Sequence, residues 1–132
     1  ASILGSVLRP DTDDLRLIQR LLPHTVGDVW LWLAISLSAG FCEEFLFRGY
    51  LLRQFQALTG SLPLALTLQA LVYGAVHLVL PYQLAVSVTV LALLLGTLAV
   101  WQKSLLPGMI VHAAIDLAGG LLSFAAAPHG SA

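Results

Sequence analysis

Residues 29–52 read VWLWLAISLSAGFCEEFLFRGYLL. A bilayer core of about 30 Å takes about 20 helical residues, so this stretch is long enough to span it. Its first half is apolar, and its second half carries Glu43, Glu44 and Arg48. Each ionisable group at the centre of a span costs about 2.5–3.5 kcal/mol on insertion scales. These three are therefore paired, functional, or both.

Three further apolar segments run from Leu62 to Leu80, from Leu84 to Trp101 and from Leu105 to Phe124. Thr59, Gly60, Ser61 and Pro63 mark the first break, Pro81 the second, and Pro107 with Gly108 the third. Only helices satisfy every backbone group within a single segment in lipid. The expected fold is therefore all-α, a polytopic membrane helical bundle of about four transmembrane helices. Leu15, Ile18 and Leu22 share a face of the stretch 11–22, which predicts a short N-terminal amphipathic helix at the interface. The expected organisation is an interfacial segment over 1–27, a membrane core over 28–126 and a tail over 127–132. The sequence opens on Ala1 without a signal-like leader, which leaves open that it is a piece of a longer protein.

Composition agrees. The chain of 132 residues is 58% apolar and 10% charged, with a mean hydropathy of +0.90, against about 25% charged in soluble domains. A net charge of −1 gives no footing for nucleic acid. The lone Cys42 forms no internal disulfide, and its acidic neighbours speak against a thiolate nucleophile. No Gly-x-Ser-x-Gly motif is present. Arg48, Arg53 and Lys103 place the loops near 53–61 and 103 in the cytoplasm. His24 and His129 lie outside the spans and are expected in solvent.

The polar residues fall into three groups. Glu44 and Arg48 are four apart and meet on one helical face, while Glu43 is turned about 100° away. One carboxylate is thus anchored and its neighbour is left to accept a proton from water. Tyr73 and His77 share a face of the second segment, beside Gly74 and Ala75. His112 and Asp116 share a face of the fourth, where Asp116 is expected to hold one imidazole nitrogen and leave the other aimed into the bundle. By depth, His77 lies about 10 Å from the level of Glu43 and His112.

Glu43-Glu44-x-x-x-Arg48, Tyr73-x-x-x-His77 and His112-x-x-x-Asp116, in this order and each on its own apolar segment, resemble the three-motif pattern of the CAAX protease and bacteriocin-processing (CPBP) family. These intramembrane proteases are also called the Abi or type II CAAX endopeptidase family. The resemblance covers about residues 29–124. Tyr73 stands where the family commonly has Phe, and Asp116 where it commonly has Asn. The resemblance implies an endopeptidase acting on membrane-associated protein or peptide substrates in the bilayer, in the plasma membrane of a bacterium. It implies Glu43 as general base, His77 as holder of the attacking water, His112 with Asp116 at the oxyanion, and Glu44 with Arg48 as support. The family is also described as metalloproteases. Glu43, His77 and His112 are then three ligands for zinc with one position open, and the choice between metal-free and zinc chemistry stays open. Two other readings remain: a proton-relay or transporter fragment, in which buried Glu, His and Asp carry protons, and a protease-like scaffold or immunity protein that acts by binding.

Overall fold

The computed structural model describes residues 12–126, so residues 1–11 and the tail at 127–132, with His129, lie outside the described residues. Helix α1 spans Thr12–Leu21 and stands where the short N-terminal helix is expected. Helix α2 spans Val26–Glu43 and starts at a capping box. There Thr25 Oγ1 accepts from the Asp28 N–H at 3.2 Å, and the Asp28 carboxylate accepts from the Thr25 N–H at 2.8 Å. This satisfies backbone donors that the first turn leaves without partners. His24 is exposed and contacts the Gln19 carbonyl oxygen at 2.7 Å.

Helix α2 runs without a break into a π-helical stretch, Glu44–Leu51, and then into α3, Leu52–Thr59. The whole helix is 34 residues long, about 50 Å at 1.5 Å per residue. It outreaches the bilayer core, and α3 carries Arg53 and Gln56 exposed at its end. Gly60 turns the chain with φ 66°, a left-handed backbone natural to glycine. Helix α4, Leu62–Val76, follows, then α5, Tyr82–Gln102, and α6, Leu106–Ala126.

Three of these helices are long and apolar enough to cross a membrane: Val26–Thr59, α5 and α6. The second expected span is shorter than the reading to Leu80 made it. Helix α4 has 15 residues and ends at Val76. Beyond it His77, Leu78 and Leu80 bond backwards by only three residues, and Pro81 disfavours a helical Leu80.

The bundle has an inverted distribution of polarity. Trp30, Leu58, Val79, Trp101 and Leu122 are exposed, whereas Ser36, Glu44, Arg48, Gln69 and His112 are buried. An apolar exterior of this extent is what lipid solvates and water does not. Small residues let the helices close on that polar interior. A Cβ on Gly40 of α2 would come within 2.8 Å of the Met109 carbonyl oxygen and the Ala113 methyl on α6. Gln69 Nε2 on α4 donates to the Ala92 carbonyl of α5 at 3.1 Å. Arg53, Gln56, Lys103 and Ser104 line one cavity, so the two basic loops lie at the same end of the bundle.

Candidate active site

The π-helical stretch carries the centre of the site. Such widened turns are frequent at functional sites. This one buries Glu44, Phe47 and Arg48 together. Glu44 is 0% exposed. Its Oε1 lies 2.9 Å from Arg48 Nη1 and 3.0 Å from His112 Nδ1 on α6. The guanidinium of Arg48 also stands over the Tyr73 ring, with Cζ 4.7 Å from the centroid. The cation offsets the carboxylate, which alone in the interior would be strongly unfavourable.

Space for Glu44 comes from Gly108 at the start of α6. A Cβ at that position would sit 2.9 Å from Glu44 Oε2. In the sequence Gly108 stands out only as part of the break before the fourth segment. The signal was present, because Gly108 stands four residues before His112 and shares its helical face. Gly108→Ala is expected to push the carboxylate off His112 and Arg48. Overpacking of this kind destabilises by about 1–3 kcal/mol, and the loss should show as a lower unfolding midpoint in detergent. An unchanged midpoint would remove Gly108 from the account of the site.

Glu43 has a different environment. Its side chain is 32% exposed. Oε2 accepts from the Tyr73 hydroxyl at 2.6 Å and lies 3.8 Å from His112 Nε2. Tyr73 Oη is also 3.4 Å from that Nε2, and Asp116 Oδ2 is 3.5 Å from it. The expectation that Asp116 anchors one nitrogen of His112 while the other enters the bundle is thus reversed in part. Glu44 holds Nδ1, and Nε2 looks towards Glu43, Tyr73 and Asp116. The reason is tertiary: α6 packs against the helix that bears Glu44, and Gly108 clears the approach. Asp116 also fixes α2 through its backbone, where its carbonyl accepts from Trp32 Nε1 at 2.8 Å.

His77 caps the end of α4 and is half-buried. Its ring packs on Tyr73 with centroids 4.5 Å apart, and Tyr73 in turn reaches Glu43 and His112. Helix α4 has 15 residues, about 22 Å at 1.5 Å per residue, and at its end stands His77. Its Nδ1 lies 2.8 Å from the Tyr73 carbonyl oxygen, a pure acceptor. Nδ1 is therefore the N–H donor of this contact.

Direct contacts therefore join Glu43, Glu44, Arg48, Tyr73, His112 and Asp116, and His77 joins through Tyr73. The Tyr73 hydroxyl was missed as a site group, since it meets Glu43 from thirty positions along the chain. Among the described residues no three His, Cys, Asp or Glu side chains are grouped so as to hold a metal ion. Both nitrogens of His112 face carboxylates, and among the described residues no ion pair or hydrogen bond joins His77 to Glu43 or His112.

Fold and site together define a polytopic integral membrane protein with a carboxylate–histidine centre inside the bundle. The family profile of the type II CAAX prenyl endopeptidase Rce1-like proteins matches residues 25–118, and the chain belongs to that family of CAAX-type membrane proteases. The matched stretch holds all three motifs. No curated protein and no solved structure gives a significant match.

Proposed function

We propose that this chain is a membrane-embedded endopeptidase that hydrolyses peptide bonds of membrane-associated substrates, with Glu43 as general base. The observation that carries the reading is the division between the glutamates. Glu44 is sealed behind Arg48 and His112, and Glu43 stands partly open beside them. Glu43 takes a proton from water as the water oxygen attacks the scissile carbonyl carbon, and then returns that proton to the leaving amine. The Nε2 lone pair of His77 holds the attacking water. His112, protonated at both nitrogens, donates from Nδ1 to Glu44 and from Nε2 to the developing oxyanion. The donor arrangement leads to no step through a metal.

The family name directs the substrate reading to prenylated CAAX termini. A cavity of about 390 Å³ between α2 and α6, walled by Leu37, Phe41, Met109, Ile110 and Ala113, would receive an isoprenyl chain. The setting proposed is the plasma membrane of a bacterium. Purified protein in liposomes should cleave a prenylated CAAX peptide at the same rate with and without a strong chelator. No cleavage in either arm would sink the protease reading, and loss in the chelator arm alone would move it to a metalloenzyme.

Asp116 supplies a second check. Asn is common at this position in the family, and an amide donates to an oxyanion where a carboxylate cannot. Asp116→Asn should retain or raise the cleavage rate, whereas Asp116→Ala should lower it. Equal rates for the two variants would take position 116 out of the oxyanion account.

A further inference from the structure

A second polar site lies at the end of the bundle that carries both basic loops. A cavity of about 290 Å³ opens between α3 and the α5–α6 turn. Arg48, Arg53 and Lys103 line it with Gln56 and Ser104, and no acidic side chain does. Its volume is near the lower end of small-molecule sites, about 300–1,000 Å³.

Two observations mark it as a built site. Arg48 is 2% exposed, and its Nε, Nη1 and Nη2 lack hydrogen-bond partners, Nη1 meeting Glu44 as an ion pair. Glu44 engages only the Nη1 side of the fork. Buried donors without acceptors are unfavourable unless something else supplies the acceptor. Lys103 is the one non-glycine residue with positive φ, 51°, among the described residues. Glycine would take that backbone more readily, yet the position carries a cation aimed to a cavity with two others on its walls.

From this geometry we infer that the cavity binds the phosphate of an anionic phospholipid headgroup, with Arg48 as its floor and Arg53 and Lys103 as its rim. The lipid source follows from place. Trp101, 75% exposed, stands two residues before Lys103, and tryptophan belongs at the level of the headgroups. Basic pockets between spans are the usual seats of such headgroups. A phosphate has the acceptors that the guanidinium fork lacks. The same group would bind Arg48 from the side opposite Glu44, which links lipid occupancy to the carboxylate cluster.

The test uses the full chain in nanodiscs, with retained lipid read by native mass spectrometry. Phosphatidylglycerol should be retained over phosphatidylcholine by the wild type. The double variant Arg53→Ala/Lys103→Gly removes both exposed cations and relieves the left-handed backbone, so it should fold. Each basic group is worth about a factor of five near a charged headgroup, so the variant should lose about thirtyfold in that preference. A preference that is absent, or unchanged in the variant, would overturn the inference. A third arm adds inorganic phosphate alone. Binding of free phosphate by the wild type, with no preference between the lipids, would assign the cavity to a soluble anion and overturn the lipid source.

Discussion

Glu43→Gln is expected to lower peptide cleavage by about 10²–10⁴-fold, the contribution of a positioned general base. The amide oxygen still accepts from the Tyr73 hydroxyl, now 2.6 Å from the carboxylate. The side chain is also partly exposed, so the change leaves no buried charge without a partner. The unfolding midpoint in detergent should therefore stay within the error of wild type while turnover is lost. This separation of rate from stability is the point of the experiment. A variant that keeps a tenth or more of wild-type turnover would remove Glu43 as the base. A variant that loses activity together with its fold would show instead that the residue is structural.

Glu44→Ala should behave in the opposite way. Its carboxylate is fully buried and holds Arg48 at 2.9 Å and His112 at 3.0 Å. Removing one member of a buried ion pair costs about 3–5 kcal/mol, because the other charge stays in the interior unmatched. The chain should unfold at a lower midpoint, and any loss of cleavage should follow from that. Replacing both partners tests the cause. In Glu44→Gln/Arg48→Met the amide can still accept from His112 Nδ1, and no unmatched cation remains, so most of the stability should return. A single Glu44→Ala within about 1 kcal/mol of wild type would contradict the buried-pair account.

Much of this division between the glutamates is legible in one dimension. Glu44 and Arg48 are four apart, and the structure sets them 2.9 Å apart as an ion pair. Helical spacing reports neighbours on the same helix, and it does so reliably. It is silent about neighbours on another. His112 and Asp116 also have the right spacing, yet the shortest carboxylate contact to the ring is Glu44, sixty-eight residues away. Tyr73 was visible as the aromatic on the face of His77. Its hydroxyl on Glu43 was not, because the contact depends on how α4 lies against the widened turn. Nor does any local signal specify that Glu44–Leu51 is π-helical: apart from Gly49 the residues are helix formers and aromatics.

The sequence by itself determined that the chain is a lipid-solvated bundle of apolar helices and that the ionisable residues within its spans belong inside. Both follow from transfer energies, which depend on residue type alone. Tertiary structure decided which carboxylate is sealed and which is open, and which of them orients His112. These depend on how closely two helices approach, as at Gly40 against Ala113 and at Gly108 against Glu44. Burial and pairing are properties of facing surfaces, and a periodicity read along one helix contains no term for the surface that faces it.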